Sequence, residues 1–350
     1  MLAAMIANNN KINPGIARPV MVTDTTPNDT DDPAIWYNKM DPEASLILGT
    51  DKGDSTGGIF VFNLKGNLIP ELCQTNLRRP NNIDIEYGFR YQDSLIDIAI
   101  FTERGKDLIR VLSLPDCRFI DNGGIPVFED DSIKQPMGIA LYKDRNNSVF
   151  AFVGRKSGPT TGYIYQYKLF SNESCVVAEK VRSFGKYSGL KEIEAIAVDD
   201  ELGFVYYCDE TAGIRKYYAD ADRGDDELAF FGCTGFTQDQ EGISISKKKH
   251  GRGFIIISDQ QANEFRIFNR KGTILNPHKH QLIKVVKTST IESDGSDILN
   301  LPLNSTFPKG IFVAMSSDKK FQYYRAEDIT DKNRLSLSKD ARNFKETKLK

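Results

Sequence analysis

Short apolar runs separated by brief polar breaks fill this chain from Val20 to about Ile329, and no segment sustains a 3.6-residue apolar period. Ile59-Phe60-Val61-Phe62-Asn63-Leu64 runs into the turn Lys65-Gly66-Asn67. Val149-Phe150-Ala151-Phe152-Val153 and Tyr163-Ile164-Tyr165-Gln166-Tyr167 follow the same rhythm. So do Gly253-Phe254-Ile255-Ile256-Ile257 and Ile311-Phe312-Val313-Ala314-Met315. Such runs, rich in β-branched and aromatic residues and bounded by Gly, Asp and Asn, predict strands.

A short acidic or polar tag recurs just ahead of the first strand of each group. It reads Asp31-Asp32-Pro33-Ala34-Ile35-Trp36, then Asn81-Asn82-Ile83-Asp84-Ile85, then Pro136-Met137-Gly138-Ile139. It returns as Ile193-Glu194-Ala195-Ile196, as Gln240-Glu241-Gly242-Ile243, and more loosely as Glu292-Ser293-Asp294-Gly295. Successive tags lie roughly 45–60 residues apart, the spacing of propeller blades. The fold class predicted is therefore all-β, a six-bladed β-propeller over residues 21–330, with the tags gathered at one mouth of the central channel. Residues 1–20 read as an N-terminal arm and 331–350 as a polar, lysine-rich tail. The segment Pro19–Thr25 is expected to lend a strand to the last blade and close the ring.

Each second strand ends in another polar set at the same mouth: Thr50-Asp51-Lys52, Thr102-Glu103-Arg104, Gly154-Arg155-Lys156, Cys208-Asp209-Glu210 and Ser258-Asp259-Gln260. Lys52, Arg104 and Lys156 fall in the early blades. Asp209 and Glu210 share the later blades with Glu194, Asp239 and Glu241. One side of the mouth should be basic and the other acidic. Converging carboxylates repel unless a cation sits among them, and cations beside Lys and Arg suit a phosphorylated substrate.

Composition narrows the picture little. A chain of 350 residues with 40% hydrophobic residues is ordinary globular protein, and a net charge of −2 gives no general case for nucleic-acid binding. No run of ~18 apolar residues predicts a membrane span. The five cysteines are scattered, so buried thiols are expected rather than a disulfide framework. Cys73 and Arg79 match a bare Cys-x5-Arg spacing but lack the glycines of a phosphate cradle. His278 and His280 read as a solvated loop pair, and Trp36 as a packing residue.

Taken together, Asp31-Asp32-Pro33-Ala34-Ile35-Trp36, Asn81-Asn82-Ile83-Asp84-Ile85, Glu194-Ala195-Ile196-Ala197-Val198-Asp199-Asp200-Glu201, Asp239-Gln240-Glu241-Gly242 and Pro308-Lys309-Gly310-Ile311-Phe312-Val313-Ala314 resemble the β-propeller phytase family. The resemblance covers about Asn28 to Ile329. It implies a calcium-dependent phosphatase of inositol polyphosphates, holding several calcium ions and using direct attack of a metal-activated water. It implies that Lys52, Arg104 and Lys156 bind phosphate, and that Asp32, Glu194, Asp209, Asp239, Glu241, Gln260 and Glu292 are calcium ligands or their neighbours. Glu194 would orient the water, with Lys52, Arg104 and Lys156 supporting catalysis. The chain departs from the family pattern at Gly53 (usually a second lysine), at Met137 (usually a substrate-binding tyrosine) and at Ser157 (usually a carboxylate). The partner expected is a small phosphorylated molecule met by a monomer, with no nucleic acid and no membrane span; by resemblance the protein is secreted or periplasmic. Two other readings are a degenerate propeller that binds calcium and phosphorylated ligands without turnover, and a metal-dependent propeller lactonase.

Overall fold

A computed structural model describes residues 15–331. Six sheets, antiparallel except for one edge strand, follow one another along the chain, and a five-residue helix, Ala326–Thr330, is the single α-helix among the described residues. Blade 1 comprises Thr30–Trp36, Leu46–Asp51, Gly57–Phe62 and Gln74–Leu77. Blade 2 comprises Pro80–Tyr91, Ser94–Glu103, Leu108–Leu114 and Ile125–Pro126. Blade 3 comprises Pro136–Lys143, Val149–Arg155, Thr161–Ser171 and Val176–Lys186. Blade 4 comprises Ile196–Asp199, Phe204–Asp209, Gly213–Tyr218 and Ala229–Phe231. Blade 5 comprises Ile243–Lys247, Gly253–Asp259, Glu264–Asn269 and Leu282–Thr288. Blade 6 comprises Ser296–Leu299, Ile311–Ser316 and Lys320–Arg325.

The reason the second strands are apolar on both faces lies in the packing. Leu46–Asp51 and Gly57–Phe62 are buried at every position. Six hydrophobic clusters occupy the six blade-to-blade interfaces. One joins Ile98, Ile100 and Val111 of blade 2 to Ile139, Ala151 and Val153 of blade 3. Another joins Ile47 and Phe62 of blade 1 to Phe307, Ile311 and Val313 of blade 6. Each sheet is thus a wedge with apolar flanks that only two neighbours can cover, which forces the ring to close. Trp36 is buried at the blade 1–blade 2 interface and donates its indole N–H to Asp97 at 3.0 Å.

Closure is made by the N-terminal segment. Met21–Val22 forms the outer strand of blade 6, with Met21 opposite Tyr323 and Val22 opposite Gln322. Val20 N–H and Thr23 N–H extend the ladder to the carbonyls of Tyr323 (2.8 Å) and Phe321 (3.0 Å). Ile16–Ala17 adds a parallel edge strand to blade 5, against Lys287 and Thr288. The expected arm therefore lies partly within the sheets; its residues 1–14, and the tail from 332 onward, fall outside the described residues.

At the centre, inner strands of neighbouring blades are stitched by carboxylates. Asp32 accepts the Ile83 amide (3.1 Å), Asp84 the Leu141 amide (2.7 Å), and Asp297 the Ile35 amide (2.9 Å). Convergence is tight at the mouth: a Cβ on Gly138 would sit 1.9 Å from the Glu194 carbonyl, so only glycine fits there. Removing residues 1–26 should strip blade 6 of its closing strand and lower the melting temperature by more than about 5 °C. An unchanged melting curve would mean that the ring does not depend on this closure.

Candidate active site

Second strands end, and inner strands begin, at the same face of the ring. A recurrent hydrogen bond fixes the register there. The amide N–H groups of Lys52, Arg104, Lys156, Glu210, Gln260 and Ser317 donate to the carbonyls of Asp29, Arg79, Gln135, Glu192, Asp239 and Ile291, at 2.8–3.3 Å. Two side-chain rings result. The inner ring holds Asp31, Asn81, Met137, Glu194, Glu241 and Asp294, with one extra residue inserted before Asp294. The second ring holds Lys52, Arg104, Lys156, Glu210, Gln260 and Ser317.

The residue just before each second-ring member points the other way and is buried: Asp51, Glu103, Arg155, Asp209, Asp259 and Ser316. These side chains lock the incoming loop. Asp51 accepts from Asn28 N–H, Glu103 from Arg78 N–H, Asp259 from Thr237 N–H, and Ser316 from Ile291 N–H. Asp209 accepts from Ser188 N–H (2.9 Å) and Ser188 Oγ (2.7 Å) and pairs with Arg215 at 2.8 Å. Its oxygens are fully engaged, and it holds structure rather than facing the mouth. Glu210 takes the mouth position.

The acidic half is dense. Glu192, Glu194 and Glu210 each offer an oxygen, and these oxygens lie within 4.8 Å of one another. Glu194 Oε1 and Asp31 Oδ2 share the two N–H groups of the Asn81 amide, each at 2.8 Å. Gln260 donates to Glu241 (3.1 Å) and Asp294 (2.6 Å). Two lysines moderate the charge. Lys52 lies between Asp31 (3.1 Å) and Asp294 (2.7 Å), and Lys191 reaches Asp239 (2.7 Å), Glu210 (3.6 Å) and Glu241 (3.9 Å). Lys52 therefore stands inside the acidic half, not opposite it as the sequence suggested. Burial opposes its charge, but Asp31 and Asp294 outweigh that and hold its pKa above the ordinary lysine value.

Those two cations do not suffice. Burial, then Asp31, drives the Glu194 pKa well above the carboxylate range. Burial, then Glu194 and Glu192, lifts Glu210 to about 9; burial, then Asp294 and Glu210, lifts Glu241 to about 9; burial lifts Asp294 to about 6. Both carboxylate oxygens of Glu210, Asp239 Oδ1 and Asn81 Oδ1 are buried with no hydrogen-bond partner. Orphaned oxygens among like charges fit a hard, oxygen-preferring cation such as calcium.

The basic half is smaller and comes from blades 2 and 3. Arg104 rests its guanidinium on Met137, Nη1 lying 2.7 Å from the sulfur. Burial and the neighbouring Arg79 depress its pKa. Lys156 pairs with Glu192 at 2.6 Å and is half exposed. Arg79, held by Asp54 at 2.9 Å, adds a cation that the strand-end pattern does not reveal, because it precedes the inner strand.

Of the anticipated residues, Glu194, Asp239, Glu241, Gln260, Lys52, Arg104, Lys156 and Met137 meet at this mouth. Asp32 points into the central channel while Asp31 takes the inner-ring place. Asp209 is locked beneath. Glu292 is exposed on the inserted bulge, donating its backbone N–H to Asn263 at 2.8 Å, and Asp294 stands in the ring. His280 also departs from expectation: it is buried, 3.2 Å from Lys216 Nζ and packed against Phe231, far from a solvated loop pair.

Buried carboxylates in excess of their lysine partners, beside guanidinium and ammonium groups at one propeller mouth, are the equipment of a phosphoric monoester hydrolase. The chain belongs to the phytase family, whose description, Phytase, matches residues 7–326. It is 29% identical over 301 residues to the 3-phytase of Bacillus subtilis strain 168, covering 82% of this chain and 74% of that protein. Among solved structures it resembles a calcium-binding protein, regucalcin, from Agrobacterium tumefaciens strain C58, with a TM-score of 0.55, 10% identity and 87% and 88% of the two chains covered. A chain of the mitotic checkpoint complex gives a TM-score of 0.51 at 10% identity, covering 93% and 97%. These two likenesses concern the fold alone.

The two registers separate by mutation. Asp209→Asn removes one of the two carboxylates paired with Arg215, Glu227 remaining at 2.7 Å, and weakens the acceptor that holds Ser188, and should cost about 1–3 kcal/mol of stability. Glu210→Gln should leave the melting temperature of the metal-free protein nearly unchanged, or raise it, while weakening calcium binding at least tenfold. If Asp209→Asn weakened calcium binding and Glu210→Gln did not, the assignment of the two positions would be reversed.

Proposed function

We propose that this protein hydrolyses phosphate monoesters of inositol polyphosphates in a calcium-dependent reaction. The observation that carries the reading is the Glu192, Glu194 and Glu210 cluster, with both Glu210 oxygens buried and lacking a hydrogen-bond partner, beside Arg104 and Lys156. Glu192, Glu194, Glu210, Glu241, Asp239, Asp294 and Asp31 would hold several calcium ions, with the Gln260 amide positioning Glu241 and Asp294. The chemistry that calcium supplies when bound is neutralisation of charge on phosphate oxygens and a lowered pKa for water.

The side chains do the remaining work. Glu194, fixed by Asn81, orients the attacking water toward phosphorus. Arg104 and Lys156 bind the phosphate oxygens and stabilise the charge that the transferring group spreads over them. Met137 offers no hydrogen bond to substrate; its sulfur seats the Arg104 guanidinium. Lys52 bonds Asp31 and Asp294 and lies 3.8 Å from Asp29, so it would turn to a phosphate oxygen as cations take over those carboxylates. The propeller, 21–330, would be the catalytic unit, acting as an exported monomer with residues 1–20 and 331–350 as flanks.

Inorganic phosphate release from inositol hexakisphosphate, with calcium and then with excess chelator, tests the reading. Calcium-dependent release is expected, and Glu194→Gln should reduce it by more than about a hundredfold with the fold intact. Arg104→Ala should lower kcat; a rise in KM alone would assign Arg104 to uniform substrate binding. The apolar Met137 within an otherwise polar inner ring favours a second reading, a propeller that binds without turnover. No release from this or less phosphorylated inositols, with a melting temperature still raised by calcium, would establish that reading instead.

A further inference from the structure

The face opposite the mouth carries a feature that hydrolysis does not use. The loop 271–279 joins the third and fourth strands of blade 5, and since the third strand starts at the mouth, this loop projects from the far end. At its tip Ile274 and Leu275 are fully exposed, at 104% and 97% of their free-residue areas. The tip is an ordered turn. Thr273 N–H donates to the Asn276 carbonyl (2.9 Å), Asn276 N–H to Thr273 Oγ1 (3.0 Å), and His278 N–H to Asn276 Oδ1 (2.9 Å). The chain doubles back so closely that a Cβ on Gly272 would lie 2.4 Å from the Pro277 backbone. His278 roots the loop edge-on against Phe204 of blade 4, 5.6 Å between ring centres. Central turn positions usually take Gly, Asn, Asp or Pro, so two adjacent aliphatics displayed there demand an apolar recipient.

Cations surround the tip. Lys271 and Lys279 flank it on the same loop. Lys249, His250 and Arg252 occupy the neighbouring far-end hairpin, and Lys271 lies against Gly251 of that hairpin. Lys249, Arg252, Lys271 and Lys279 are exposed and form no ion pair among the described residues. Three carboxylates on this end of blade 4 are engaged elsewhere: Asp200 with Lys247 at 3.1 Å, and Asp199 and Glu201 with Arg270 at 2.5 and 2.8 Å.

We infer that this end of blade 5 docks on an anionic lipid surface, with Ile274 and Leu275 entering the headgroup–acyl boundary and the ring of cations meeting the headgroup charge. A two-residue projection needs no shaped pocket in a bilayer, whereas a protein partner would have to supply one. A soluble polyanion would use the cations and leave the aliphatics without a role. Docked this way, the mouth faces solution on the other side of the ring.

The test is co-sedimentation of the full chain with vesicles of phosphatidylcholine alone and of phosphatidylcholine with about a third phosphatidylglycerol, in excess chelator so that calcium cannot bridge. Binding to the anionic vesicles alone is expected, and should be lost at ~1 M salt. Ile274→Ser with Leu275→Ser should weaken it about tenfold or more, and Lys271→Glu with Lys279→Glu at least about fivefold for each charge removed. Melting temperature and phosphate release in solution should not change in either variant. Equal binding to neutral vesicles, wild-type binding by the serine variant, or capture by soluble polyphosphate without vesicle binding would each overturn the proposal.

Discussion

Each blade carries apolar side chains on both of its faces, and that single constraint organises the molecule. A sheet such as Leu46–Asp51 with Gly57–Phe62 cannot show either flank to water, so it must be sandwiched between neighbours. Six such wedges close only as a ring, and the ring in turn brings six inner-strand entrances to one place. The carboxylates at those entrances do not gather through mutual attraction. Hydrophobic packing at the six interfaces forces them together and supplies the free energy that opposes their repulsion.

The cost of that convergence is visible in the charge distribution at the mouth. Lys52 and Lys191 reach into the acidic half from two directions, yet neither Glu210 oxygen has a hydrogen-bond partner, and burial among like charges raises the pKa of Glu194, Glu210 and Glu241. A site in this condition is poised to exchange protons for divalent cations. The same packing that stabilises the fold thus prepares the chemistry, and the basic half formed by Arg104, Lys156 and Arg79 would make the proposed cation site suited to a phosphate ester.

Much of this was legible in the sequence because the repeat is regular. The spacing of the tags revealed the blade number, and the strand-end triplets placed Lys52, Arg104, Lys156 and Gln260 at the mouth. What escaped was a register of one residue. In Asp209-Glu210 and Asp31-Asp32 two carboxylates are adjacent, and composition does not say which one faces the mouth. Lys52, Arg104, Lys156 and Gln260 occupy the third place of their triplets, and that alignment would have selected Glu210. In the sixth repeat an inserted residue moves the ring position from the vicinity of Glu292 to Asp294. Lys191 and Arg79 come from loops that lead into inner strands, outside both repeated patterns, so no periodicity marks them. His280 looked solvated beside His278 because its burial depends on Phe231 and Lys216 of the adjoining blade.

Under the proposed function, buried carboxylates at the mouth hold protons until calcium replaces them. Glu210 and Glu241 have pKa values lifted from about 4.5 to about 9. Their contribution to the stability of the metal-free fold is present below the ordinary carboxylate range and is lost as pH rises through about 9. Calcium binding should accordingly tighten with pH across that window. The most direct measurement is a calorimetric titration of the metal-free protein with calcium at pH 7.5, repeated in two buffers of different ionisation heat. A buffer-dependent heat is expected, corresponding to roughly one to three protons released per chain. Tight calcium binding with no buffer dependence would contradict it, because the mouth would then have been ionised, and its charges balanced, before any cation arrived.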